Sequence, residues 1–284
     1  HVGPIPPSLP HVPYPLLPPK SLYSLSPSRL SLSNHPFGST WIHLPPPRVS
    51  RVDPVVAQVG SCVVVAGGAC DFENVARAVE VFNLADPTTS WTLCDQIPED
   101  LARSSSATWL SSATSAKLLY VLDKDSGVFS SFDQSTGKWS RTCELKPDRA
   151  TRVSAIGFSN GRLLLVGLSG SDPDPVSLKI WEVGFCLDLI KFTEIGRMPE
   201  ELVEGLAGSG FGLTTIGFGL VGDYGYFYNP GDFRRGAVFW EIDGGKWESV
   251  EMPDEVDQDP TARIVFGCAR VELADLKRVH GVRV

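Results

Sequence analysis

The sequence predicts an all-β protein in which a unit of four antiparallel strands recurs about every 50 residues. Three observations carry this reading. First, from about residue 28 onward the chain consists of short runs rich in Val, Ile, Leu, Phe, Trp and Tyr, separated by clusters of Gly, Ser, Asn, Asp and Pro. Helical periodicity is confined to two short candidates, 73–80 (ENVARAVE) and 199–207 (PEELVEGLA), both where loops are expected. Second, Trp41, Trp91, Trp139 and Trp247 each open a stretch of one type, WIHLPPP, WTLCDQIP, WSRTCELKP and WESVEMP, and Phe192 opens a fifth, FTEIGRMP. These aromatics lie 50, 48, 53 and 55 residues apart. Third, a turn and an apolar strand precede the later aromatics, as in VEVFNLADPTTSW (79–91), VFSSFDQSTGKW (128–139) and AVFWEIDGGKW (237–247). Ahead of those lie strand pairs joined by tight turns, clearest in 55–68, 106–123 and 153–168.

Taken in order, the first 20 residues carry prolines at 4, 6, 7, 10, 13, 15, 18 and 19. Proline fixes φ and removes a donor, so this stretch favours extended polyproline conformation and excludes a helix or central strand. Residues 1–27 are therefore expected to be a poorly ordered lead-in and 28–284 the folded domain. The first unit is expected to contribute only its last two strands, near 28–33 and 41–44. At the other end, 261–273 and 277–284 supply two strands without a partner. Sharing one blade between the termini would close a ring and cover bare sheet edges.

A period of about 50 with a paired glycine and a phased tryptophan resembles the kelch repeat rather than the shorter WD40 unit. The best match is the first full unit, with Gly67-Gly68 after an apolar strand, then Val79 to Asn83, then Ser90-Trp91. Later units keep the turn and the aromatic but lose one or both glycines, as at Leu122-Asp123, so the resemblance is to a divergent kelch domain. It implies an all-β, kelch-type β-propeller of four-stranded antiparallel blades, five in number, or six if upstream sequence adds one. On this reading Trp41, Trp91, Trp139, Phe192 and Trp247 are packing positions between blades, and Gly67 and Gly68 serve a tight approach of strands.

Composition sets the limits of function. The chain of 284 residues carries 25 Lys and Arg against 33 Asp and Glu, a net charge of −8. No basic excess is available to neutralise phosphates, so nucleic acid is not the expected partner. No apolar run reaches the roughly 18–20 residues needed to span a bilayer, and the start lacks the basic flank of a secretory signal. It begins with His rather than Met, so a fragment of a longer protein is expected. The six cysteines form no CxxC pair and read as free thiols of a reducing compartment, cytoplasmic or nuclear.

No catalytic constellation is legible. The five histidines, at 1, 11, 35, 43 and 280, show no metal-binding spacing. There is no GxSxG elbow, and the glycine-rich run 208–228 is not GxGxxG. Histidines are too few for a copper radical oxidase. Glu255, Asp259 and Arg263 depart from the ExxxDxxxH pattern of iron-dependent specifier proteins, because Arg cannot ligate iron. Ser131, Asp133, Gly137 and Trp139 miss the sialidase turn spacing. A copper oxidase or glycosidase is thus the weakest alternative; no catalytic residue, metal or cofactor is expected.

Function then falls to loops on a rigid scaffold. Loops after the second and fourth strands of each unit share a face, and they carry Phe72, Arg77, Arg103, Arg149, Arg152, Phe233, Arg234, Arg235 and Arg263. Arginine and aromatic side chains are the usual anchors of protein interfaces. The Pro-rich lead-in, the incomplete first unit ending HPFGSTWIHLPPP and the degraded glycine pairs together resemble plant F-box/kelch-repeat proteins. That resemblance implies substrate recognition for a cullin-type ubiquitin ligase. A target protein would sit on the loop face, and a Skp-type adaptor and cullin would be reached through an F-box that no residue of this chain supplies. A kelch scaffold without a ligase role is the alternative.

Overall fold

The structure, a computed structural model, describes residues 22–26, 29–33, 41–68, 76–86, 88, 90–104, 106–170, 176–186, 189–208, 213 and 215–251. Five antiparallel sheets follow one another along the chain as the blades of a β-propeller. Blade one holds β1 (Leu22–Ser26), β2 (Arg29–Ser33) and β3 (Ile42–Leu44). Blade two holds β4 (Val55–Val59), β5 (Cys62–Ala66), β6 (Val79–Asn83) and β7 (Thr92–Cys94). Blade three holds β8 (Leu110–Thr114), β9 (Leu118–Asp123) and β10 (Val128–Asp133), with an outer strand broken into β11 (Lys138–Trp139) and β12 (Cys143–Glu144), both paired with β10. Blade four is the longest, with β13 (Thr151–Ser159), β14 (Arg162–Ser169), β15 (Ser177–Cys186) and β16 (Leu189–Arg197). Blade five holds β17 (Gly217–Val221), β18 (Tyr224–Tyr228), β19 (Ala237–Glu241) and β20 (Trp247–Val250).

Blade one has three described strands, not two, because Leu22–Ser26 pairs in register with Arg29–Ser33. Alternating Leu and Ser there lets one face bury Leu30 and Leu32. The helix expected over 73–80 does not extend through its end: Val79 and Glu80 open β6, and β-branched Val79 and Val81 are buried in a sheet. The other candidate does form, as α1 (Glu200–Ala207), which packs Val203 and Leu206 inward. The C-terminal strands expected to close the ring, at 261–273 and 277–284, lie outside the described residues, as does the Pro-rich stretch 1–20.

Period-two alternation explains how blades stack. Along β5, Val63 and Val65 face blade one and meet Leu30, Leu32 and Leu44. Cys62, Val64 and Ala66 face the other way and meet Leu110, Leu119 and Val121 of blade three. The same division joins blade three to four through Leu122, Phe129, Leu165 and Trp181. Blades four and five join through Leu164, Val166, Phe227 and Trp240. A strand buried on both faces therefore reads as an unbroken apolar run, CVVVA, rather than as alternation. Each such side chain contributes roughly 1.5–3 kcal/mol on full burial. The β13–β14 turn is Asn160-Gly161, both with positive φ (51° and 76°), the conformation that a two-residue hairpin turn requires.

The phased aromatics have a specific geometry. The Trp91 indole N–H donates to the Pro45 carbonyl at 2.8 Å, and that of Trp139 to the Asp95 carbonyl at 3.1 Å. Each acceptor directly follows the outer strand of the preceding blade, so each indole ties two neighbours together. Both rings also pack on an aromatic of their own third strand, Phe82–Trp91 at 5.4 Å and Phe132–Trp139 at 5.2 Å. Trp247 lies 5.6 Å from both Phe227 and Trp240, Phe192 is half-buried at the edge of the blade three–four core, and Trp41 is 39% exposed. Trp91→Phe keeps the ring stack and removes the inter-blade hydrogen bond. We expect a loss of about 1–2 kcal/mol, read as a lower urea midpoint with an unchanged slope.

Candidate recognition face

In this topology the connections between second and third strands and those between blades emerge on one face. Their described residues are 45–54, 67–68, 76–78, 95–104, 106–109, 124–127, 145–150, 170, 176, 198–208, 213, 215–216 and 229–236, read between the strand ends. The opposite face carries the short turns at 60–61, 115–117, 160–161 and 222–223 and the links between third and fourth strands.

The long loops brace one another. The Ile97 amide donates to the Arg77 carbonyl at 2.9 Å. The Asp53 carboxylate accepts from the Thr108 amide at 3.0 Å, from the Thr108 hydroxyl at 2.7 Å, and from the Ser106 hydroxyl. Its own carbonyl accepts from the Ala107 amide at 2.8 Å. Asp53 holds a left-handed backbone, φ 55°, which these bonds compensate. In blade four, Asp148 accepts from the Thr151 hydroxyl at 2.7 Å and from Lys179 at 3.3 Å. Burial raises the Asp148 pKa, but these hydrogen bonds outweigh it and hold the carboxyl below its usual range. The Asn229 amide donates to the Leu206 carbonyl at 3.0 Å, joining α1 to blade five.

A buried ion pair anchors the first of these loops. The Arg51 guanidinium donates to Glu80 Oε2 at 2.8 Å, with both side chains 0% exposed. It also donates to the Gly67 and Ala78 carbonyls at 2.6 and 2.8 Å. Glu80 accepts in addition from the amides of Arg48 (2.7 Å) and Val49 (3.3 Å). Burial lowers the Arg51 pKa against the pull of Glu80, although an arginine stays charged. Gly68 completes the clasp: its φ is +64°, and its carbonyl accepts from the Val52 amide.

The sequence-selected side chains fall into three groups. Arg149 and Arg152 are exposed beside the first strand of blade four. Arg152 is the extra residue of a β-bulge, since Thr151 pairs with Ser169 and Val153 with Leu168; bulges re-aim side chains at the ends of strands. Phe233, Arg234 and Arg235 form a short 3-10 turn on blade five. There Asp232 holds Arg234 at 3.1 Å and Arg235 at 3.2 Å, and Phe233 stacks on Tyr228 at 6.0 Å. Burial raises the Asp232 pKa, but the two arginines hold it down overall. Arg77 is half-buried between two loops, and Arg103 lies in the 3-10 turn Glu99–Ser104. Phe72 and Arg263 lie outside the described residues.

Sequence reasoning missed two side chains of this face. Trp109, 57% exposed, stands immediately before inner strand β8, and Val52, 67% exposed, stands before β4. The available signal was a tryptophan 18 residues past Trp91, outside the repeating phase. A shallow cavity of about 340 Å³ at the outer edge of blade three is lined by Asp100, Ser126 and Lys146 of the loop face together with Thr142 and Cys143 among others. Burial pushes the Cys62, Cys94 and Cys143 thiols up, away from the reactive thiolate. Among the described residues no group of three or more His, Cys, Asp or Glu side chains is placed to hold a metal, and no helix is long and apolar enough to cross a membrane.

No family model matches the chain. Among solved structures, that of YjhT superposes with a TM-score of 0.51 at 16% identity, over 87% of this chain and 86% of that one, a likeness of fold alone. The F-box/kelch-repeat protein At1g23390 of Arabidopsis thaliana is 39% identical over 268 residues, covering 90% of this chain and 67% of that protein. With the phased tryptophans, the Gly67-Gly68 pair and the five blades, this similarity shows that the chain belongs to the F-box/kelch-repeat proteins.

Proposed function

We propose that this propeller is the substrate-recognition part of an F-box subunit of a cullin-type ubiquitin ligase, acting in the cytoplasm, the nucleus or both. The carrying observation is the 39% identity to an F-box/kelch-repeat protein across 90% of the chain. The braced loop face supports it. Loops cross-linked through Asp53, Asp148 and Asn229 lose little entropy on binding, which is what a rigid recognition surface needs. The propeller performs no bond chemistry. It holds a target protein near the transfer machinery and so raises the effective concentration of the acceptor lysine. Contact with a Skp-type adaptor, and through it a cullin, belongs to an F-box in the complete gene product.

Affinity purification of the complete gene product from plant cells, beside this 284-residue chain, tests the proposal. The complete product is expected to recover the adaptor and cullin together with further proteins. The shorter chain is expected to recover the further proteins alone. If neither recovers ligase components, the receptor reading fails and a free-standing kelch interaction module replaces it.

A further inference from the structure

The inner strands bring Val52, Trp109 and Arg152 to one rim of the loop face. β8 and β13 both start at this face and run side by side. The Ile156 amide donates to Ser111 Oγ at 2.9 Å, which sets Ser111 level with Ile156. By the same register Trp109 is level with Ser154, and the Lys124 backbone bonds both: its amide donates to the Trp109 carbonyl at 3.0 Å and its carbonyl accepts from the Ser154 amide at 2.8 Å. Arg152, the extra residue of the bulge, therefore stands at the outer end of β13, beyond the level of Trp109. On the other side, Val52 adjoins Asp53, whose bonds to 106–108 fix it beside Trp109.

The charge of this rim differs from that of the chain. Among the described residues three of its carboxylates are already engaged: Asp53 by Ser106 and Thr108, Asp123 by Ser126 at 2.7 and 2.8 Å, and Asp148 by Thr151 and Lys179. Asp125 is the exposed acid of the neighbouring turn. Arg149 and Arg152 make no hydrogen bond or ion pair with any described residue, whereas Arg162, Arg197, Arg234 and Arg235 are all paired. Within a protein of net charge −8, this rim thus exposes two guanidinium groups that have no partner among the described residues, near a half-exposed indole.

Resting on the recognition role proposed above, we infer that this rim binds an extended protein segment carrying an apolar side chain with acidic residues one to three positions away. The apolar side chain lies against Trp109 and Val52. The carboxylates pair with Arg152 and Arg149, where a planar guanidinium receives them bidentately. Trp and Arg are the residue types that dominate interface energetics.

Selection of a phage-displayed library of random 12-residue peptides on the full chain tests this. The expected consensus is an aromatic or leucine flanked by Asp or Glu, with binding that weakens as salt rises. Trp109→Ala and Arg152→Glu are each expected to weaken a selected peptide roughly 30-fold, with melting temperature unchanged because both side chains are exposed. Should Trp109→Ala not fold, Arg152→Glu and Arg149→Glu decide alone. Basic or uncharged consensus sequences, peptides that bind the variants as well as the parent, or no enrichment at all overturn the inference. Recovery of the adaptor by the complete gene product is scored separately, so a failure here is distinguishable from a failure of the receptor reading.

Discussion

Arg51→Met is expected to destabilise the propeller by about 3–5 kcal/mol, the usual effect of removing one partner from a buried ion pair. The loss has two sources. Glu80 is left as an uncompensated charge at 0% exposure, and the Gly67 and Ala78 carbonyls lose their donors. Against a typical domain stability of about 5–15 kcal/mol this is a large fraction. The double variant Arg51→Met/Glu80→Gln isolates the charge. Glutamine removes the buried charge and its one carbonyl oxygen can still accept from the Arg48 amide, although the Val49 amide, which bonds the other carboxylate oxygen, loses its acceptor; the double variant is expected to be more stable than the single. Urea unfolding of the three proteins checks both statements. A single variant within about 1 kcal/mol of the parent would contradict the assignment of this pair as the anchor of loop 45–54.

Gly68→Ala is expected to cost about 3 kcal/mol or more, because two penalties coincide. The backbone is left-handed at φ +64°, and an added Cβ would lie 2.5–2.6 Å from the Pro54 backbone and the Val52 carbonyl oxygen. Those atoms belong to the main chain of the braced loop and cannot rotate away. Gly161→Ala is the control: φ is +76° but nothing lies within 4 Å of the added carbon, so only the conformational term of about 1–2 kcal/mol remains. Thermal melts of the two variants should separate clearly. Because the strain at Gly68 falls on Val52 to Pro54, Gly68→Ala should also weaken partner binding, whereas Gly161→Ala, on the opposite face, should not.

The architecture was legible in the sequence because its signals are local. Two-sided burial writes apolar runs such as CVVVA and LLLVG, tight turns write Asn-Gly and Gly-Ser, and a phased aromatic marks every blade, tryptophan in all but the fourth, where it is Phe192. Errors arose where local and long-range forces diverge. Leu22–Ser26 lies beside a proline-rich stretch, and its LYSLS sequence carries no strict period-two alternation of its own. ENVARAVE has helical periodicity, yet Val79 and Val81 gain more from burial between two blades than a short surface helix could give them. The broken outer strand of blade three leaves only two-residue segments on either side of a break, too short for a pattern. The face itself was legible as a set of loops carrying arginines. Which arginines are free was not, because pairing depends on partners such as Glu182 for Arg162, 20 residues away. The Arg51–Glu80 clasp spans 29 residues, and only the presence of a charge inside VEVF hinted at it. Trp109 was overlooked because an isolated tryptophan resembles any core residue until its exposure is known.

The central claim is that proteins are recognised on the long-loop face, beside Trp109. A matched control exists on the other face: Tyr224, 50% exposed, follows the short turn at 222–223. Affinity purification of the complete gene product and its Trp109→Ala and Tyr224→Ala variants, with bound proteins quantified by mass spectrometry, tests the claim most directly. The account predicts that all three recover the Skp-type adaptor equally, and that Trp109→Ala alone loses the remaining partners. Loss of those partners in Tyr224→Ala, or their full retention in Trp109→Ala, would contradict it.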